Sequence, residues 1–140
     1  MLLPSPVAAV DLLVVSSVDR GWSDFGRSTL AAIYRRQIQV DRAGHRLVPI
    51  NLPARDPVRQ AFSRWLFHRR PEAMLAYWNR RYFQGIKPPY VLDSGIAVVQ
   101  FLGRVPGAIG YVPACLPHAG LRVLLRIRLP GLSSRQAGCP

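Results

Sequence analysis

The run Asp11–Ser16, DLLVVS, places the tightest constraint on this chain. Leu12 to Val15 are all aliphatic, so a strand formed there has no wet face and must be covered on both sides. Cover on both faces of a sheet means helices, and the next residues fit one. A loop runs over 17–24, and then Leu30, Ile33 and Tyr34 recur at helical spacing, with Ser23 or Asp24 placed to cap the helix. The turn DRAG, Asp41–Gly44, leads into RLVPIN, Arg46–Asn51, a second short strand. Strand, helix and strand in succession give the footprint of a βαβ crossover and an α/β class.

The next helix has a sharp start. Asp56 stands where an N-cap belongs, and Pro57 brings the pre-set φ of a first helical position. Val58, Phe62, Trp65 and Leu66 then form one apolar stripe. Pro71 opens a further helix, for which Met74, Leu75, Trp78 and Tyr82 are the expected buried stripe, with Arg80 and Arg81 projecting elsewhere. After the break GIKPP, Gly85–Pro89, Asp93 or Ser94 caps a helix through Val98, Val99 and Leu102. Ala108–Val112 and Arg122–Leu129 read as strands. In the second of these, Val123, Leu125, Ile127 and Leu129 alternate with Leu124, Arg126 and Arg128, which leaves one face fairly wet.

Length and charge bound the rest. At 140 residues the chain makes one domain, and 49 % apolar with 19 % charged residues is a globular composition. Residues 11–129 are expected to form that domain. Residues 130–140 are expected to fray, and 1–10, MLLPSPVAAV, to be the remnant of a signal or leader, since PVAAV resembles the end of one. No apolar run reaches the ~18 residues of a membrane-spanning helix. Nineteen basic against seven acidic side chains give +12, spread evenly along the chain, which favours anionic partners without choosing among them.

Enzyme chemistry finds no foothold. His45, His68 and His118 are far apart, and GxSxG, HExxH and P-loop strings are absent. Cys115 and Cys139 are too few for a four-ligand metal site, although they suffice for one disulfide. The residues imply no cofactor and no metal. Ser16 and Ser17 end the first strand, where α/β sheets usually present ligands, but no histidine base accompanies them.

PGAIGYV, Pro106–Val112, has two glycines for tight turning and close backbone approach, with Ile109 and Tyr111 on one face. Together with LVPINLPARDPVRQAF, Leu47–Phe62, and YFQGIKPP, Tyr82–Pro89, it resembles the short substrate-binding-protein-like domains related to the phosphate-binding proteins of ABC transporters. The resemblance runs over about residues 10–129. It implies a single lobe of the type 2 periplasmic-binding fold, a mixed sheet flanked by helices. It also implies a non-enzymatic role in phosphate uptake or sensing, a periplasmic or envelope location, and a small oxyanion as ligand. A second lobe, a second copy or a membrane transporter would be the partner.

In such proteins an arginine precedes a Ser-Gly-Thr turn at a helix N-terminus, where free N–H groups and the helix dipole meet the anion. The matching place here is Arg55-Asp56-Pro57-Val58, with a carboxylate, a missing donor and methyl groups in place of hydroxyls. The candidate ligand-binding residues are Ser16, Ser17, Asn51, Arg55, Asp56 and Arg59. Two other functions compete. One is a ligand-free interaction module presenting Arg126 and Arg128 to an acidic partner. The other is a nucleic-acid binder using pairs such as Arg80-Arg81, but its aromatics, Trp22, Trp65, Trp78 and Tyr82, fall mostly on helix stripes rather than on an open groove.

Overall fold

The computed structural model describes residues 9–17 and 25–139. The aliphatic run forms β1, Leu12–Ser16, and all five of its residues are buried. Helix α1, Arg27–Tyr34, buries Leu30, Ala31, Ile33 and Tyr34 and starts at Gly26, which supplies no side-chain cap. The caps expected at Ser23 or Asp24, like Trp22 and the leader residues 1–8, lie outside the described residues. The DRAG turn closes as an Asx turn, in which Asp41 Oδ1 accepts from the Ala43 and His45 N–H groups. Strand β2 is Val48–Asn51, and α2 is Pro57–Phe67, capped by Asp56 as expected. After α3, Leu75–Phe83, come the two-residue β3, Tyr90–Val91, then α4, Gly95–Leu102, capped by the Ser94 hydroxyl. Strands β4, Ala108–Pro113, and β5, Arg122–Ile127, complete the regular elements among the described residues.

The five strands lie in the order β3-β2-β4-β1-β5. β2 is parallel to β3 and β4, whereas β1 is antiparallel to both its neighbours, β4 and β5. The βαβ expectation for β1, α1 and β2 is therefore corrected: β4 lies between the two strands, and they run in opposite directions. An aliphatic run reads the same in either direction. The orientation of β1 is set by the registers Ser16↔Ile109 and Leu12↔Ile127 with strands far along the chain.

PGAIGYV supplies the backbone of this centre. A Cβ on Gly107 would stand 2.5 Å from the Arg46 carbonyl oxygen, and one on Gly110 would stand 2.9 Å from Val98 Cγ1. Both glycines thus permit the close approach expected of them, one of strand to chain and one of α4 to the sheet. Tyr111, Phe62 and Tyr34 form the aromatic centre of the core. The Phe62 and Tyr111 rings stack at 3.8 Å between centroids, and Tyr34 meets Phe62 edge-on at 5.1 Å. Tyr34 Oη donates to the Ile50 carbonyl (2.8 Å). Burial pushes both the Tyr34 and Tyr111 phenols above their ordinary value.

Three further expectations change. Pro71 starts a 3-10 turn, Pro71–Met74, before α3. The stripe assigned to this region is largely uncovered: Met74 is buried and Trp78 half-buried, but Leu75 and Tyr82 are 64 % and 65 % exposed. Polar contacts hold α3 instead. Tyr77 Oη donates to the Arg35 carbonyl (2.6 Å) and Arg81 Nη2 to the Arg36 carbonyl (3.0 Å). Those carbonyls lie just past the end of α1 and have no helical partner. Arg81, expected to project away, is one of the residues that dock the helix.

Residues 130–139 make contacts with the body of the fold. Leu132 is buried, the Val10 N–H donates to its carbonyl (2.9 Å), and Cys139 is disulfide-bonded to Cys115. β5 ends at Ile127 rather than Leu129, and a register shift opposite Val14 and Val15 disturbs its alternation. Val123 is consequently 48 % exposed while Ile127 is buried.

Candidate functional site

The C-terminal end of β2 and the start of α2 carry four of the six candidate residues. β2 ends at Asn51, whose Oδ1 accepts from Tyr111 Oη (2.8 Å); the same hydroxyl accepts from the Leu52 N–H (3.3 Å). A turn comes next, closed by the Asp56 N–H donating to the Pro53 carbonyl (2.9 Å). Asp56 Oδ1 then accepts from the Val58 N–H (2.8 Å). Arg59 Nη1 reaches back to the Leu52 carbonyl (3.0 Å), and Gln60 Nε2 to that of Ala54 (2.5 Å). Arg55 is exposed. One loop is thereby bound by side chains from the helix it precedes, which fixes the position of the helix end.

The chemistry of this corner is mixed. An open helix start offers an anion several N–H groups. Here Pro57 has none, the Val58 N–H is taken by Asp56, and the Gln60 N–H is taken by the Asp56 carbonyl. The protein's own carboxylate thus stands at the positive end of the helix. Glu72 adds a second carboxylate nearby by accepting from Gln60 Nε2 (3.0 Å). Hydrogen bonds from its own backbone N–H and from Gln60 hold the Glu72 carboxyl below its ordinary value. Against these two stand Arg55 and Arg59.

Ser16 and Ser17 do not join this cluster. Ser16 pairs with Ile109, and Pro49 also pairs with Ile109, so the serines lie level with the start of β2 while Asn51 is its end. Ser17 is thus about 10 Å from Asn51 along the strands and about 10 Å across them. The rule that ligands gather at C-terminal strand ends applies to the parallel strands, and β1 runs the other way. Ser16 is fully buried, and the Ser17 hydroxyl is buried without a hydrogen-bond partner. Of the rival interaction residues, Arg126 is paired with Asp11 at 2.9 Å, and Arg128 is exposed.

Three members of the corner were not selected from sequence: Tyr111, Gln60 and Glu72. Glu72 carried a signal, being the only glutamate and directly following Pro71 at a helical start. The partnership of Tyr111 with Asn51 had none, because 60 residues separate them. Among the described residues no group of three or more His, Cys, Asp or Glu side chains has the geometry to hold a metal ion. No helix among them is long and apolar enough to cross a membrane.

A mixed five-stranded sheet with one antiparallel strand inside it, flanked by helices, is the fold of a lobe of the type 2 periplasmic-binding architecture. The solved structures it matches include an ABC-type phosphate transport receptor from Vibrio cholerae, with a TM-score of 0.63 and 15 % identity over 84 % of this chain and 46 % of the receptor. A second is described as a phosphate ABC transporter substrate-binding protein with bound phosphate, from Clostridium perfringens (TM-score 0.62, 13 % identity, 82 % and 44 %). A third is PstS from Borrelia burgdorferi (TM-score 0.62, 16 % identity, 91 % and 50 %). The chain spans about half the length of each, and at these identities the likeness is one of fold. No protein-family model and no curated protein matches the chain.

Proposed function

We propose that this chain is a non-enzymatic binding lobe that takes a small, phosphate-like oxyanion at the start of α2, in company with a second body that supplies the rest of the cage. The reading is carried by one observation: the fold is that of about half of each of three phosphate-transport binding proteins, one of them with phosphate bound. A second lobe, a second copy of the chain or a membrane transporter or sensor would complete the site. The Cys115–Cys139 disulfide supports an oxidising compartment such as the periplasm or envelope.

Asp56 limits the affinity of the lobe alone. Two unit charges at ~4 Å repel by about 1 kcal/mol even in water, and more where water is thinned out. A protonated, singly charged phosphate suits this corner better than a dianion, since it can donate its proton to the carboxylate. Arg55 and Arg59 then provide charge-assisted hydrogen bonds. A lone lobe leaves the ligand half hydrated, so a Kd on the order of 1 mM is expected.

The test is a thermal-shift titration with phosphate, sulfate, nitrate and chloride at matched ionic strength. At about ten times Kd, phosphate should add ~1.4 kcal/mol, near 5 °C for this length, beyond the other salts. Asp56→Ser, which keeps a cap, should tighten phosphate binding, and Arg55→Ala should weaken it. Equal responses to all four salts would instead mean general screening of a +12 surface, and would favour the ligand-free interaction module.

A further inference from the structure

A cavity of about 730 Å³ opens where the end of α1, the start of β2 and the segment 82–91 meet. None of Asn51, Arg55, Asp56 and Arg59 lines it. Its walls combine three cations, Arg36, Arg46 and Lys87, with the apolar surfaces of Val48, Tyr82 and Tyr90, and no carboxylate among the described residues lines it. The volume falls within the range of small-molecule sites, roughly 300–1,000 Å³.

Arg36 stands just past the end of α1 with φ 64°, the left-handed conformation that commonly closes a helix, and the Gln37 N–H donates to the Ala32 carbonyl (2.9 Å). The Arg36 carbonyl accepts from Gln39 Nε2 (3.1 Å) and Arg81 Nη2 (3.0 Å), and its own Nη1 donates to the Leu47 carbonyl (3.5 Å). The Nε atoms of Arg36 and Arg81 are both buried without a hydrogen-bond partner. Burial, with the charges of Arg46 and Arg81, pushes the Arg36 guanidinium below its ordinary value. A buried unpaired donor and unneutralised like charges both cost stability, and an anion set against Arg36 in the cavity would relieve both there.

We propose that this cavity binds a small organic anion with an apolar body, an aryl or alkyl phosphate or carboxylate. Its head meets Arg36 and Arg46, and its body lies on Val48, Tyr82 and Tyr90. Inorganic phosphate offers the head without the body, so it is a weak ligand here.

The experiment is calorimetric titration of the full chain with phenyl phosphate and, at the same ionic strength, with inorganic phosphate. Phenyl phosphate should bind the more tightly. Arg46→Gln, an exposed position that the fold does not need, should weaken phenyl phosphate about tenfold. Tyr90→Ala should weaken it severalfold and leave inorganic phosphate unchanged. Arg135→Gln, which removes the same charge elsewhere, should have little effect. The proposal is overturned if inorganic phosphate binds as tightly as phenyl phosphate. It is overturned equally if Arg46→Gln and Tyr90→Ala both leave binding intact, or if Arg135→Gln costs as much as Arg46→Gln.

Discussion

Replacing Gly107 by alanine adds one methyl group where the chain has no space for it. The new Cβ would sit 2.5 Å from the Arg46 carbonyl oxygen, 3.5 Å from its carbonyl carbon and 3.5 Å from Val48 Cγ2. The nearest of these is backbone, so no rotamer change clears it, and the chain entering β2 must move away from the chain entering β4. That motion pulls on the hydrogen bond from the Val48 N–H to the Gly107 carbonyl, now 2.8 Å, at the point where the two parallel strands begin to pair. Overpacking of this kind costs about 1–3 kcal/mol. At ~2.1 cal/mol/K per residue the unfolding entropy of 140 residues makes each kcal/mol worth about 3.4 °C, so Tm should fall by about 3–10 °C. Gly131→Ala is the matched control, because a Cβ there meets nothing within 4 Å. It should be neutral, or slightly stabilising through the unfolded chain. Urea denaturation of the two variants beside the parent checks the pair. A Gly107→Ala protein within about 0.5 kcal/mol of the parent, or no less stable than Gly131→Ala, would refute the reasoning.

Other perturbations test separate parts of the fold. Tyr111→Phe keeps the stack on Phe62 but leaves the buried Leu52 N–H and Asn51 Oδ1 without their shared hydroxyl, so denaturant titration should register a loss of about 1–3 kcal/mol. The disulfide spans a sequence separation of 24, for which chain entropy gives about 3.5 kcal/mol. Reduction, or the double change Cys115→Ala with Cys139→Ala, should lower Tm by about 12 °C, and an unchanged Tm would contradict a closed bridge. Alkaline pH should destabilise the protein through Tyr34 and Tyr111. Their folded phenols titrate above the unfolded value of about 10, so stability is full below that pH and declines as pH rises through it. The slope should be about 1.4 kcal/mol per pH unit for each phenol, and Tyr34→Phe should remove about half of it. A stability profile that stays flat from about pH 9 to about pH 11 would exclude this linkage.

Much of what depends on neighbours in sequence was legible in the sequence itself. Asp56-Pro57 announced the start of α2, Asp93 or Ser94 that of α4, and DRAG a turn, because a cap or a turn is made by residues a few positions apart. The aliphatic β1 announced its two-sided burial, and PGAIGYV its close contacts, because a missing Cβ is visible in the sequence. Tertiary structure alone decided what those elements face. The reversal of β1 depends on pairing with β4 and β5, and it separates Ser16 and Ser17 from the corner at Asn51 and Asp56. The exposure of Leu75 and Tyr82 has the same origin, since a helical stripe shows that a face is apolar but not that anything covers it. Arg36 and Arg81 read as two surface charges among nineteen basic residues. Only the folding of α3 onto the end of α1 brought them together, and only the tertiary structure put Arg36 beside Arg46 in a cavity whose described walls carry no acid.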